Sequence, residues 1–385
     1  MMLYQIIRLV FNKFTLTALI ILLTLYFIIH SKSEKPSFSK LEIELIKETL
    51  LDESLRDHKT ALFNIEDNSL QALGYRLFND KKLSKNGDIS CSSCHVPENN
   101  FHDINNVSHD VLGRDIKAPS IVGVSTQPWF FWNGRADSLW AQILEALENE
   151  HQITPEFTVN YVCDNYQPSF QSILAFCDST QIDITEKFTL IGKAITSYVA
   201  TLKHTWTRYD EYIYTQFIQQ QDASHLLSYD EIRGLKLFLS RDHTGCVDCH
   251  SGQRFTNDSF FAIGTGIGSN DDRIVGIQKY KSSEFKCEDW DKASNCMNTR
   301  FMRTSGPDLK GAFKVPSLRN LRHSPRFMHD GRFGNLEDVL NHYTYPTGYM
   351  NDYVDIKPIR LMPHERKQLI MFLNTLNDPF VPAGK

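Results

Sequence analysis

The sequence predicts a mainly α-helical protein made of two similar halves, preceded by one membrane-spanning helix. The string Cys-x-x-Cys-His occurs twice, at residues 91–95 and again at 246–250. Each copy follows a stretch of one pattern, Gly74-Tyr-Arg-Leu-Phe78 in the first half and Gly234-Leu-Lys-Leu-Phe238 in the second. Leucine and phenylalanine recur there at helical spacing, whereas strand patterns are short and scattered. A unit that repeats within one chain predicts two related domains.

The Cys-x-x-Cys-His string is the attachment site of a c-type haem, in which the cysteines bond to the vinyl groups and the histidine binds the iron. Paired Cys-x-x-Cys strings also hold zinc, but zinc ribbons separate them by about 15–20 residues. Here the two strings are far apart, and each has its own histidine. The sequence therefore predicts two covalent haems and redox chemistry. Their attachment residues are Cys91, Cys94, His95, Cys246, Cys249 and His250.

An uncharged, mostly apolar run covers residues 14–29 and is preceded by Arg8 and Lys13. Together with the apolar residues just upstream it can reach about 20 residues, enough to span a bilayer. The basic residues favour a cytoplasmic N-terminus, which places the rest of the chain on the other side. We therefore expect residues 1–35 to be a signal anchor, with about 10–30 in the bacterial inner membrane and a periplasmic body. A cleaved signal peptide is the alternative.

The cysteines agree with an exported protein. Of the eight cysteines, those outside the haem motifs fall as two local pairs, Cys163 with Cys177 and Cys287 with Cys296. In an oxidising compartment this arrangement predicts two disulfides that close short loops, and unrelated buried thiols are the alternative. With a net charge of −5, nothing in the chain is basic enough to suggest a nucleic-acid partner.

The exported part is long enough for two domains. We expect a domain at 36–218, a polar linker at 219–225 and a second domain at 226–385. Each would be a cytochrome c-like unit, with helices and long loops wrapped on a haem. Amphipathic helices are predicted at Asp137–Glu150, Glu186–Leu202 and Pro363–Leu376.

Four further stretches are specific when taken together and in order. They are residues 83–95 leading through the first haem motif, Phe-Trp-Asn-Gly-Arg at 131–135, Phe-Lys-Val-Pro-Ser-Leu-Arg-Asn at 313–320 and Phe-Met-His-Asp-Gly at 327–331. In these stretches the chain resembles the bacterial di-haem cytochrome c peroxidases and their MauG-like relatives. The resemblance runs from about Leu70 to Leu376, and Asn133 stands where the family has aspartate.

The resemblance implies different roles for the two haems. The first, on His95, would react with hydrogen peroxide, and the second, on His250, would deliver electrons. Peroxide cleavage needs a general base that takes a proton from one oxygen and returns it to the other. In the family a glutamate and a nearby glutamine serve at the first haem. Gln142 stands at the family spacing after Trp132, so the glutamine role falls on it.

The glutamate is assigned from residues 147–151, Leu-Glu-Asn-Glu-His, which resemble a family stretch that ends in Glu-His. This favours Glu150, with Glu148 as the second candidate, whereas ungapped counting reaches Gln152. Solvated side chains at a helix end are the alternative for both glutamates.

Three other positions follow from the resemblance. Trp132 would lie between the haems and carry electrons, or it would be a core aromatic residue. His109 would cap the first haem at rest, or it would be a surface-loop histidine, because the glycines that flank the family's residue are absent. Some members hold a calcium ion between the domains, but Lys117 falls where they have an asparagine ligand. A cation there would repel calcium, which we keep only as an alternative.

The resemblance also points to a sixth ligand for the second haem. In the cytochrome-dependent peroxidases it is a methionine at a fixed distance after the histidine that corresponds to His329. In this chain the same count reaches Tyr343, and the MauG-like members have tyrosine there. We therefore expect ligation by His250 and Tyr343. The alternatives are ligation by His342 or Met350, with Tyr343 packed in the core.

Together these features predict a membrane-anchored periplasmic peroxidase that reduces hydrogen peroxide to water. Electrons would come through the second haem from a small c-type cytochrome or a quinol. One alternative is a MauG-like oxidase that modifies a side chain of a partner protein through the same haems. Another is a non-catalytic di-haem electron carrier, but carriers keep both iron faces ligated, so an open haem would exclude it.

Overall fold

A computed structural model describes residues 36–51, 68–105, 108–109, 111–113, 115–287, 302–349 and 352–377. The described part is mainly helical, as the sequence predicts. The expected membrane anchor at residues 1–35 lies outside the described residues. Within the described ranges, no helix is both long enough and apolar enough to cross a membrane.

The helices of the first part of the chain are α1 Lys40–Glu48, α2 Asn68–Asn79, α3 Cys91–Cys94, α4 Leu139–Asn149, α5 Pro155–Tyr166 and α6 Ile184–Val199. Those of the second part are α7 Arg208–Ile213, α8 Tyr229–Leu239, α9 Cys246–Cys249, α10 Arg273–Ser282, α11 Leu336–Thr344 and α12 Pro363–Asn374. The three predicted amphipathic helices correspond to α4, α6 and α12. Two short antiparallel pairs join β1 Ser108–His109 to β2 Asp115–Ile116 and β3 Phe260–Phe261 to β4 Phe313–Lys314.

Side-chain caps fix where several of these helices begin. The hydroxyl of Ser138 accepts from the backbone N–H of Ala141 at the start of α4. Asn335 caps α11 in the same way by accepting from the N–H of Asp338. Such caps satisfy N–H groups that have no partner within the helix and are worth about 1 kcal/mol each.

The repeated glycine before each haem motif marks a close helix crossing. Helix α2 packs on α6, and α8 packs on α12. A Cβ on Gly74 would lie 2.2 Å from the carbonyl oxygen of Ala194, and a Cβ on Gly234 would lie 2.0 Å from that of Gln368. Only glycine allows the backbones to approach this closely, so both halves have the same crossing for the same reason.

Two clusters of buried apolar side chains form the cores. The first includes residues of α2, α4, α5 and α6. The second includes residues of α8 and α12, and also Ile46 from α1 and Tyr209 from α7. Residues on both sides of the expected linker at 219–225 therefore pack in the second core. The domain limits remain a prediction, and this packing favours assigning 40–48 and 208–218 to the second unit.

A disulfide joins Cys163 in α5 to Cys177, as predicted. The two cysteines are 14 positions apart in the sequence, and both pack against the first core. The second expected bond joins Cys287 to Cys296, and residue 296 lies outside the described residues.

The glycine crossing gives a stability prediction. Gly74→Ala places a methyl group against the Ala194 carbonyl and should lower the free energy of unfolding by roughly 1–3 kcal/mol through overpacking. Thermal unfolding of the haem-loaded protein, followed by circular dichroism, measures the effect. Gly334→Ala is the control, because its Cβ would meet no atom closer than 3.7 Å. Equal unfolding temperatures for the two variants would contradict the role assigned to the crossing.

Candidate functional site

A cavity that is partly open to solvent surrounds the first Cys-x-x-Cys-His turn. Cys91, Cys94 and His95 line it together with residues of α2, α4 and α6. Its apolar lining consists of Phe78, Ile89, Ala118, Ile121, Leu139, Ile143, Ala146, Leu147, Ile195 and Val199. A mostly apolar cavity with a few convergent polar groups is typical of a cofactor site.

The chemistry of the cysteines fits thioether attachment better than a metal site. Burial, and then the charges of Cys94 and Glu150, raise the pKa of the Cys91 thiol to about 12. Burial likewise raises the pKa of Cys249 to about 11. Zinc binds thiolates, which these surroundings disfavour. In the described ranges, no group of three or more His, Cys, Asp or Glu side chains could hold a metal ion.

Both motif histidines are held in the neutral form that an iron ligand requires. Burial lowers the pKa of His95 and of His250 to about 4, and nearby backbone carbonyls oppose the shift. The Nδ1 of His250 lies 3.0 Å from the carbonyl oxygen of Phe255, a residue with φ of 53°. Phe101 has φ of 56°, and its carbonyl opposes the pKa shift of His95, although the Nδ1 of His95 makes no hydrogen bond of normal geometry within the described residues. The contact at Nδ1 of His250 leaves its Nε2 for the iron.

A second, longer repeat, which was not predicted, links the two halves. Residues 117–146 and 314–343 align without a gap, and both begin with Lys-x-Pro-Ser. Each segment contains the same tight turn, with φ of 63° at Phe131 and 68° at Gly134, and of 70° at Met328 and 68° at Gly331. A β-bridge closes each turn. Ungapped comparison of the two halves with each other would have revealed it.

This repeat sets α4 and α11 in the same register. Seven residues after the first residue of each helix stand Ala146 in α4 and Tyr343 in α11. Ala146 lines the first cavity. Burial raises the pKa of the Tyr343 phenol, and the Cys246 and Cys249 thiols add to the shift, so the phenol lies near the second haem motif. Equivalent positions thus carry a methyl group in one half and a phenol in the other.

The structure brings three predicted residues to the first cavity. Gln142, Glu150 and His109 line it, and His109 also lies on an adjoining shallow pocket with Cys94. Glu148 is not among the lining residues. Gln152 does not line the cavity either, and its side-chain amide donates to the Asn149 carbonyl at 2.7 Å.

An ion-pair network behind Glu150 was not predicted. The Arg135 guanidinium pairs with Glu145, lies 3.7 Å from Glu150 and reaches Asp271 of the second half at 4.0 Å. It also covers the ring of Phe131 at 3.4 Å. Arg135 was visible in the Phe-Trp-Asn-Gly-Arg motif, but its partner Asp271 is too distant in the sequence to be inferred.

Trp132 does not line the cavity and lies at the contact between the halves. Its indole N–H donates to the Lys117 carbonyl at 3.1 Å, and its own carbonyl accepts from the Lys314 N–H at 2.7 Å. The neighbouring Asn133 is buried and donates to the Asp271 carboxylate at 2.9 Å. Aspartate at position 133, as the family has it, would face this carboxylate with like charge.

The two rival ligands of the second haem are placed differently. The Nε2 of His342 lies 2.6 Å from the Ile263 carbonyl, so this ring nitrogen is already engaged. Met350 lies outside the described residues. Tyr343 is therefore the candidate that the described part of the structure places beside Cys246 and Cys249.

Comparison with known proteins agrees with the sequence resemblance. A family model described as di-haem cytochrome c peroxidase matches residues 68–216. MauG, the methylamine utilization protein of Methylorubrum extorquens, is 30% identical over 313 residues, which are 79% of this chain and 77% of that protein. Cytochrome c551 peroxidase of Nitrosomonas europaea is 27% identical over 281 residues, covering 71% of this chain and 72% of that protein.

The fold also matches a solved structure. The diheme peroxidase BthA from Burkholderia thailandensis has a TM-score of 0.61 and 21% sequence identity, with 83% of this chain and 90% of that chain covered. The repeated haem motifs and these likenesses lead to one conclusion: the chain belongs to the di-haem cytochrome c peroxidase family, whose members include MauG.

Proposed function

We propose that the protein reduces hydrogen peroxide at a first haem on His95, while a second haem on His250 supplies the electrons. The net reaction consumes one peroxide, two protons and two electrons and yields two waters. The observation that carries the proposal is the difference between Ala146 and Tyr343 at equivalent positions. It leaves space in the first cavity and puts a phenol beside the second haem motif.

The residues of the first cavity suit peroxide cleavage. When bound, the haem iron supplies the electron transfer that splits the oxygen–oxygen bond. Gln142 and Glu150 stand about one turn before and after Ala146, and both line the cavity. Glu150 would take a proton from one peroxide oxygen and return it to the leaving oxygen, and Gln142 would orient the peroxide. Apolar side chains of α4 exclude bulk water from this transfer.

Arg135 would act as a positioning residue for this acid–base step. Its guanidinium is 3.7 Å from the Glu150 carboxylate and only 12% of its side chain is exposed. It stabilises the negative charge of Glu150 and holds it at the cavity wall. Because Asp271 shares the same guanidinium, the contact between the halves supports the geometry of the first site.

At the second haem we propose ligation by His250 and Tyr343. Phenolate is a hard anionic donor that favours ferric and higher iron states, whereas thioether favours ferrous iron and raises the potential. Tyr343 would therefore make this haem a poorer acceptor from a small cytochrome and a better store of oxidising equivalents. Trp132, which contacts both halves, would carry electrons between the sites.

Tyr343 also favours a MauG-like reaction as the second candidate function. In that case the electrons come from a side chain of a partner protein rather than from a small c-type cytochrome or a quinol. The cavity beside Ala146 argues against a plain electron carrier, because carriers keep both iron faces ligated. His109, at the edge of this cavity, is proposed as a resting-state cap that leaves on activation.

We further propose that the body of the protein works in the periplasm, anchored to the inner membrane by residues 1–35. The support is the apolar run at 14–29 with basic residues before it. The Cys163–Cys177 disulfide agrees with an oxidising compartment.

The role of Glu150 gives a direct kinetic prediction. Glu150→Gln should lower peroxide turnover by about 10²–10⁴-fold, because the amide cannot shuttle the proton, while both haems remain attached. Turnover is measured with reduced cytochrome c or a small chemical reductant. Glu148→Gln is the matched control and should keep turnover, since Glu148 does not line the cavity. An active Glu150→Gln beside an inactive Glu148→Gln would transfer the role to Glu148.

The second-haem ligand gives a spectroscopic prediction. The ferric protein should lack a sulfur-to-iron charge-transfer band, and Tyr343→Phe should change the low-spin haem signal in electron paramagnetic resonance. Tyr345→Phe is the control, because Tyr345 is 83% exposed. A methionine band, or a low-spin signal untouched by Tyr343→Phe, would remove the support for tyrosinate ligation and leave the cytochrome-fed peroxidase alone.

A further inference from the structure

Beside the first haem pocket, where the two halves meet, several buried polar atoms have no partner. They are the Lys117 ammonium, both ring nitrogens of His102, the Oδ2 of Asp103 and the side-chain nitrogen of Asn100. None makes a hydrogen bond of normal geometry within the described residues, and the backbone of Asn320 acts on His102 only electrostatically. Lys117 is 8% exposed, His102 6% and Asp103 0%. The ring of His102 stacks on that of His323 from the second half, with centroids 6.3 Å apart.

Burying these polar groups without hydrogen-bond partners costs free energy of folding. An unpartnered ammonium in a protein interior loses its hydration without replacement, and buried polar groups are nearly always hydrogen-bonded. Burial lowers the pKa of Lys117, and the charge of Asp103 only partly opposes this. Burial also lowers the pKa of His102 to about 3, with Lys117 adding to the shift. The donors outnumber the acceptors, so an anion is the missing partner.

The cluster adjoins the predicted haem. Ala118, the residue after Lys117, lines the first cavity, and the carbonyl of Pro119 acts on His95. The charge of Asp103 acts on both Cys94 and His95. A c-type haem attached at this motif carries two propionate carboxylates, which are the anions closest at hand.

We propose that the Lys117 ammonium, assisted by His102 and the Asn100 amide, binds a propionate carboxylate of the haem attached to Cys91 and Cys94. This inference rests on haem attachment at that motif and is independent of which electron donor the enzyme uses. A charge-assisted pair of this kind is stronger than a neutral hydrogen bond and would satisfy the buried ammonium.

The equivalent lysine of the second half has hydrogen-bond partners within the protein, so the unpartnered buried ammonium is a feature of the first site. Lys314 occupies the position of Lys117 in the gapless repeat. Its ammonium donates to the side chain of Gln127 and, at 2.9 Å, to the carbonyl of Trp129. Protein groups therefore satisfy the hydrogen-bonding capacity of the Lys314 ammonium, whereas the Lys117 ammonium has no such partner within the described residues. A fixed ammonium at this place would also disfavour an interdomain calcium ion, because like charges repel.

The test uses the full-length, haem-loaded protein and three variants, Lys117→Met, Lys117→Arg and Lys314→Met. Intact mass first establishes two attached haems in each, and Lys117→Gln replaces Lys117→Met if the latter does not mature. The midpoint potential of the haem attached to Cys91 and Cys94 should fall in Lys117→Met, because an uncompensated carboxylate favours ferric iron. Its propionate bending band in resonance Raman spectra should shift as well. Lys117→Arg should resemble the wild type in both measurements.

Lys314→Met is the matched control and should leave the potential and the band of the haem attached to Cys91 and Cys94 unchanged. An unaltered potential and band in Lys117→Met would overturn the proposal. Equal shifts in Lys117→Met and Lys314→Met would also overturn it, because they would reflect general loosening of the contact between the halves. Peroxide turnover is recorded in parallel. Absent turnover in the wild type would contradict the proposed function while leaving the two spectroscopic readouts valid.

Discussion

The proposed function depends on one physical constraint, the width of the side chain that the two halves carry at equivalent positions, Ala146 and Tyr343. A tight turn and a side-chain cap precede α4 and α11, so the two helices start in the same register relative to the turns before them. At the same position along these helices, a methyl group at Ala146 leaves a cavity, whereas the phenol of Tyr343 lies near two cysteines. In the proposed function, one fold used twice supplies a reaction site in the first half and an electron store in the second.

The open site depends on both halves of the molecule. Arg135, which contacts Glu150, also reaches Asp271 in the second half. The buried Arg273 donates to the carbonyls of Asn133 and Gly134, at 2.9 and 2.7 Å, and so fixes the turn that precedes α4. Mispositioning the halves would therefore displace Glu150 as well as Trp132. In the proposed function, the acid–base step and electron transfer therefore depend on the same few contacts.

The sequence was sufficient for features that depend on local pattern or spacing. The haem motifs, the helices α4, α6 and α12, the Cys163–Cys177 bond and the family were all predicted correctly. Contacts between distant segments were not predicted, because nothing in the chain near Arg135 indicates Asp271. The packing of Ile46 and Tyr209 in the second core was not predicted either, for the same reason. Core membership depends on how helices meet in space, which periodicity alone does not determine.

The stoichiometry of cyanide binding tests most directly whether only one of the two haems has a face open to an external ligand. The haem-loaded protein is titrated in the fully oxidised state and after one-electron reduction, and the haem spectra are followed. The account predicts a maximum of one cyanide per chain, bound at the haem that Ala146 leaves open. Two cyanides per chain would show that Tyr343 does not close the second haem. No binding at either oxidation level would show that the first face is closed as well, as in an electron carrier.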